Sequence, residues 1–110
     1  MEYEMTEEGI IQTQILDYLR TLHFFCWRNN TRRLRVGGRL MQFGKVGSAD
    51  ILGILKPSGR FLAIEVKKPG EKPSDEQVAF PWAIRDAGGV AIVAYSLDDV
   101  RKVLYPPQVK

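Results

Sequence analysis

Two nearly unbroken apolar runs, residues 50–55 (Asp-Ile-Leu-Gly-Ile-Leu) and 60–67 (Arg-Phe-Leu-Ala-Ile-Glu-Val-Lys), flank the four residues Lys56-Pro57-Ser58-Gly59. Proline and glycine stand where a tight turn needs them, so the segment reads as a β-hairpin. Neither arm alternates apolar with polar residues as a half-wet sheet does. A sheet covered on both faces is predicted, which favours an α/β architecture. With a four-residue loop, Leu55 pairs with Arg60 and Asp50 lands opposite Glu65, their Cβ atoms about 4.5–5.5 Å apart. Lys67 follows Glu65 by two residues and shares its face. A slip of one residue would send Asp50 to the other side.

The rest of the chain supplies layers for such a sheet. Thr6 is a predicted N-cap, Glu7 and Glu8 suit the positive end of a helix dipole, and a helix is predicted over 6–22. Its buried stripe is Ile11, Ile15, Tyr18, Leu19 and Leu22, and Glu8 falls near the centre of that stripe, an odd place for a carboxylate. A strand is predicted over 24–28. A Gly- and Arg-rich stretch with a turn at Val36-Gly37-Gly38-Arg39 follows, and an extended piece over 40–43 is a candidate to pair with that strand. After the hairpin come a loop over 68–73 and a helix whose start, Ser74 to Gln77, has the form of a capping box. Pro81 predicts a kink or a late first turn, and Gly88-Gly89 ends the helix. A strand over 90–95 and a helix from Ser96 to residue 104 complete the order α-β-(β)-β-β-α-β-α. The tail 105–110 holds two prolines and is predicted to fray. One domain over 1–110, with its core at about 6–104, accounts for the chain.

At 110 residues and 45% hydrophobic composition, a chain buries roughly two-thirds of its unfolded surface, enough for a core without disulfides or a structural metal. The one cysteine, Cys26 in the run His23-Phe24-Phe25-Cys26-Trp27, reads as a small buried hydrophobe and favours a reducing, intracellular setting. No apolar run approaches the ~20 residues that span a bilayer, and the start of the chain does not resemble a signal peptide. Charge is polarised: six basic and no acidic residues lie between Arg28 and Lys45, whereas four Glu occupy the first eight positions. A local block of Arg suits a polyanion and equally suits a solvated loop.

Asp50, Glu65 and Lys67 carry the chemistry. Two adjacent carboxylates repel unless a proton or cation intervenes. Oxygen-only ligands suit Mg²⁺ or Mn²⁺, which keep several waters and share phosphate oxygens with a substrate. A cross-strand ion-pair cluster at a sheet margin explains the same residues, and the pattern alone does not choose. Other sites fare worse. Five residues rather than four separate Gly38 from Gly44, and Val46 stands where a phosphate loop needs Ser or Thr. His23 has no ligand partner at zinc spacing. Trp27 and Trp82 read as core residues.

Gly47-Ser48-Ala49-Asp50, then Ile64-Glu65-Val66-Lys67, then Gln77 followed by an aromatic and Gly88-Gly89, resembles the virus-type replication-repair nuclease domain (VRR-NUC) of the PD-(D/E)XK nuclease superfamily. The match covers about 6–104 and is most similar to stand-alone phage and bacterial members. Ala49 departs from the superfamily's proline at a position that shapes backbone. The resemblance implies a restriction-endonuclease-like mixed sheet with an αβββαβ core flanked by helices. It implies Asp50, Glu65, the Val66 carbonyl and Glu8 as ligands of Mg²⁺ or Mn²⁺, Lys67 as the catalytic lysine, and Gln77 near the site or the DNA backbone. The expected activity is a DNA endonuclease: water beside Lys67 attacks the phosphodiester in line and leaves a 5′-phosphate and a 3′-hydroxyl. Arg28, Arg32, Arg33, Arg35, Arg39, Lys45, Ser48 and Lys68 are the expected DNA contacts. Relatives that resolve Holliday junctions imply a homodimer in a bacterial cytoplasm, encoded by the bacterium or by a phage, with no membrane partner. The rivals are a non-catalytic nucleic-acid-binding module and an accessory protein that works only with a helicase or other repair partner.

Overall fold

Thr6 opens the first helix as expected, its Oγ1 accepting the Gly9 amide at 3.0 Å, and α1 runs Glu7–Thr21. The computed structural model describes residues 6–29, 32–45 and 47–104, with the backbone alone for 32–34, 42 and 43. The helix ends where His23 takes a positive φ of 62°. The Phe24 amide then reaches the Leu19 carbonyl and the His23 amide that of Arg20, a Schellman closure usually built on glycine. β1 (Phe25–Arg28) follows, then β2 (Arg32–Val36), β3 (Arg39–Phe43), β4 (Ile51–Ile54) and β5 (Phe61–Val66). α2 (Asp75–Asp86), β6 (Val90–Ala94) and α3 (Leu97–Val103) complete the described chain.

Four strands form one sheet in the order β1-β4-β5-β6. The hairpin β4–β5 is antiparallel with Ile51 opposite Ile64, the register that a four-residue turn requires, and the Leu55 amide bonds the Arg60 carbonyl at its closed end. β5 and β6 are parallel, so α2 serves as the crossover between them. On one face, Ile15, Leu16 and Leu19 of α1 and Val100 of α3 pack against Ile51, Leu62, Ile64, Val66 and Ile92. On the other, Phe80 and Ile84 of α2 lie over Ala49, Ala63 and Ala91. Three alanines let this helix approach closely, and the two covered faces explain why the hairpin arms are apolar throughout. Ile64 is fully buried; a side chain of that size contributes about 1.5–3 kcal/mol.

Three expectations need correction. Trp27 and Trp82, read as core residues, are 37% and 66% exposed. The extended piece at 40–43 does not pair with β1. The Arg-rich stretch before it is itself a strand, β2, and with β3 it makes a separate two-stranded antiparallel ribbon. Gly37 (φ 57°) and Gly38 (φ 80°) close that ribbon with both central residues left-handed, as a two-residue hairpin turn prefers. Nor does Pro81 delay the first turn of α2, which runs Asp75–Asp86 through it. The ring removes one amide from the helix ladder, and burial of Pro81 against the sheet offsets that single loss. The capping box is present as expected, with Ser74 Oγ accepting the Gln77 amide and Gln77 Oε1 accepting the Ser74 amide. The tail 105–110, expected to fray, lies outside the described residues.

Candidate metal and phosphate site

Continuing the β4–β5 register by one residue sets Asp50 against Glu65. Asp50 lies just before β4, and its Oδ2 accepts the Val66 amide at 2.8 Å. The Asp50 carbonyl accepts the Asn29 amide at 2.7 Å. Asn29 Nδ2 donates to Ser48 Oγ at 2.8 Å and to the Ala49 carbonyl at 2.9 Å. Ser48 Oγ in turn donates to the Lys45 carbonyl at 2.8 Å. This loop is pressed onto α2: a Cβ on Gly47, whose φ is +81°, would sit 2.5 Å from Glu76 Cβ and 2.8 Å from the Glu76 carbonyl. The segment that holds Asp50 is thereby tied to the helical turn that presents Gln77.

Gln77 has two tasks, one at each end of its amide. Its Oε1 caps the helix, and its Nε2 donates to Glu65 Oε2 at 2.7 Å. The capping role and the approach to the site are therefore one arrangement rather than alternatives. Lys67 Nζ stands 3.7 Å from Glu65 Oε2 and 3.9 Å from Glu71 Oε2. Glu65 and Lys67 are 3% and 8% exposed, the two charged residues of the buried set.

Burial pushes the Glu65 carboxyl up to about 8, and the facing Asp50 adds to the rise through repulsion and a shared hydrogen bond, against the pull of Lys67. Asp50 is also raised by burial, restrained by the Val66 amide, Glu65, Lys67 and Arg28. Glu8 is raised chiefly by its hydrogen bond with Glu71 and by burial, and Glu71 is lowered by that same bond. Two carboxyl pairs thus surround one buried ammonium. Such a site attracts a cation.

The donor set suits a hard divalent ion. Asp50 and Glu65 face each other, and because the N–H and C=O of one extended residue point the same way, the Val66 carbonyl lies on the side where Asp50 takes the Val66 amide. Among the described residues no three His, Cys, Asp or Glu side chains converge as a ready-made cage. Mg²⁺ does not need one, since it binds through one or two carboxylates and keeps waters and substrate oxygens for the rest. Glu8 is close enough to Asp50 and Glu65 for their charges to act on one another, and its hydrogen bond goes to Glu71. α1 packs on the opposite face of the sheet, and Glu8 reaches the site through Glu71. Glu71 was missed by sequence reasoning. Its available signal was an acid four residues after Lys67 in the loop that follows β5.

The expected phosphate contacts divide. Arg28 is exposed, donates to Thr13 Oγ1 at 3.2 Å, and is close enough to lower the Asp50 carboxyl. Arg35, Arg39, Lys45 and Lys68 are exposed; the Lys68 amide bonds Glu71 Oε1 at 3.3 Å. Ser48 is half-buried with its hydroxyl proton committed to Lys45, so its observed work is to brace the loop. The Arg32 and Arg33 side chains lie outside the described set. Cys26 is half-buried, and burial raises its thiol pKa, in keeping with a packing role.

A solved structure named "VRR_NUC domain" shares 27% sequence identity with this chain, with a TM-score of 0.64 over 92% of this chain and 97% of that one. The chain has the VRR-NUC fold. Its α1-β1-β4-β5-α2-β6 path is the αβββαβ core of a restriction-endonuclease-like nuclease domain, and α3 and the β2–β3 ribbon are additions to it. No family model and no curated protein matches the sequence. Within the VRR-NUC fold, Ala49 is 3% exposed beneath α2, where a small side chain lets the helix close over the strand. Among the described residues no helix is long and apolar enough to cross a membrane.

Proposed function

We propose that this VRR-NUC chain is a divalent-metal-dependent DNA endonuclease hydrolysing phosphodiester bonds. The observation that carries the reading is the buried Asp50–Glu65 pair with Lys67 Nζ 3.7 Å from Glu65, on a nuclease-domain fold. Asp50, Glu65 and the Val66 carbonyl hold Mg²⁺ or Mn²⁺. When bound, such an ion polarises the phosphoryl group and acidifies a water. Lys67 offsets negative charge on the phosphoryl oxygens as they gain it. Gln77 fixes the Glu65 carboxyl, and Glu71 holds Lys67 and Glu8 beside it. Arg28, Arg35, Arg39, Lys45 and Lys68 bind backbone phosphates.

One such site cuts one strand, so paired incisions need two copies, and the reading includes a homodimer. Phe25, 71% exposed on the edge strand β1 and 5.4 Å from the Trp27 ring, offers an apolar surface for it. Light scattering at micromolar protein should return twice the chain mass; a monomer bound to its DNA would remove the dimer from the reading. The central test is cleavage of a panel of duplex, flap and four-way-junction DNAs with Mg²⁺ or Mn²⁺. Cutting that stops on chelation is expected. Protein that is folded, binds DNA and cuts none of the panel would leave the non-catalytic binding module in its place.

A further inference from the structure

Among the described side chains, none from the β2–β3 ribbon belongs to either core. Among the described residues its strands pack chiefly on each other, although a lone two-stranded hairpin is at best marginally stable in water. It also exposes apolar side chains where a solvated loop would be polar: Val36 at 53%, Leu40 at 58% and Met41 at 40%. The pairing of Val36 with Arg39 and of Arg35 with Leu40 puts one aliphatic and one arginine on each face of the tip.

Where the ribbon stands matters as much as what it carries. In sequence it lies between Arg28, the last residue of β1, and Ile51, the first of β4, which pair with each other in the sheet. Asn29 bonds the Asp50 carbonyl, and Lys45 is held by Ser48 two residues before Asp50. Both feet of the ribbon therefore stand at the mouth of the acidic site. The stretch 28–45 has no acidic residue. Each strand has five residues, a reach of about 17 Å, or roughly five base-pair steps of 3.4 Å.

We propose that the ribbon is a DNA-gripping wedge: Arg35 and Arg39 hold backbone phosphates about five base pairs from the cleaved bond while the tip enters a base step, Val36 on one face and Leu40 on the other, and kinks the duplex. The combination favours DNA over other partners because aliphatic wedges flanked by arginines are how minor-groove binders unstack a step and bend the helix. This rests on the nuclease reading for the position of the DNA, and it specifies that reading. The preferred substrate carries an easily unstacked step, as at a branch or nick, one ribbon length from the cut.

The test uses the full chain and a duplex carrying donor and acceptor fluorophores at its ends, with a nick placed centrally, in chelator so that no cutting occurs. Wild-type protein should shorten the end-to-end distance. V36S/L40S should still bind with the same salt slope while the distance returns to that of free DNA. R35A/R39A should weaken binding roughly tenfold and flatten the slope of log K against log salt by about 1.8, the value for two lost phosphate contacts. The proposal is overturned if wild-type protein binds without bending, if V36S/L40S bends DNA as well as wild type, or if V36S/L40S changes only the chain's oligomeric mass. These substitutions lie outside both cores, so an unchanged melting midpoint certifies the fold. Because this assay holds no metal, absent bending bears on the wedge alone, while the nuclease reading stands or falls on the separate cleavage panel with Mg²⁺ or Mn²⁺.

Discussion

Replacing Glu65 by Gln should make the metal-free protein more stable at alkaline pH while abolishing its proposed chemistry. Glu65 is 3% exposed, faces Asp50, and has its carboxyl pushed from 4.5 up to about 8, first by burial and then by Asp50. A carboxyl raised on folding binds its proton more tightly in the native state, so its contribution to stability is complete below about pH 4.5 and is lost as the pH climbs toward 8. One unit is worth about 1.4 kcal/mol, which makes the loss between pH 5 and pH 8 roughly 3 kcal/mol. Asp50, also raised by burial, adds in the same direction. E65Q keeps the shape and can donate to Asp50 as the protonated acid does, without the ionisation. Urea denaturation at pH 5, 6.5 and 8 in chelator should show wild type weakening steeply and E65Q weakening less, with the variant ahead at pH 8. Excess Mg²⁺ should restore wild type at pH 8 through preferential binding to the folded state and leave E65Q nearly unmoved. Parallel pH profiles for the two proteins would refute the repulsive pair, and equal Mg²⁺ stabilisation of both would take Glu65 out of the ion's binding set.

K67A should keep DNA affinity and lose cutting, and because Lys67 lowers the Glu65 carboxyl, its melting midpoint should fall more at pH 8 than at pH 5. An equal fall at both would mean the ammonium acts by packing alone. H23G should raise stability by about 0.5–1 kcal/mol in urea, since His23 occupies the left-handed closing position of α1 (φ 62°) that glycine adopts without a Cβ penalty; no gain would mean that side-chain contacts compensate. G47A should cost at least ~1–2 kcal/mol from the left-handed backbone alone and also slow cleavage, because a Cβ meets the backbone of Glu76 beside Gln77. Full activity in G47A would separate loop packing from catalysis.

Much of this arrangement was legible because it follows from local rules. The turn Lys56-Pro57-Ser58-Gly59 fixes a loop length, the loop length fixes the register, and the register places Asp50 beside Glu65. The capping box at Ser74 and Gln77 follows from spacing alone. Three features were not legible, each because a tertiary term decides it. β2 reads as a charged coil, since its arginines give no alternation and no core contact announces a strand. Pro81 allows a late first turn until its burial within a helix that starts at Asp75 is known. Glu71 sits in a loop whose path depends on Lys67 and Glu8, residues far apart in sequence or fixed by different layers. Glu8 shows the same limit from the other side. Its place on the inward stripe of α1 is correct, but which acid it meets depends on how that helix crosses the sheet.

The buried acid pair raises the question of how a 110-residue domain tolerates it. The answer lies in the same strand. β5 alternates its side chains, so Ile64 and Val66, at 0% and 1% exposure, anchor the α1 face immediately either side of Glu65, which points to the α2 face. Two such side chains contribute about 3–6 kcal/mol together, comparable with the roughly 3 kcal/mol that the ionised Glu65 costs. Strand β5 can therefore hold a repulsive carboxylate in place without a cation, and a cation entering the site recovers free energy that the fold has already committed. Truncating Ile64 would remove this anchor and should release β5 most readily at pH 8, where the charge is present. An unbraced loop would relax and let the acids drift apart; a strand pinned from behind for Glu65, and a loop tied down by Asn29 for Asp50, keep them together for the ion.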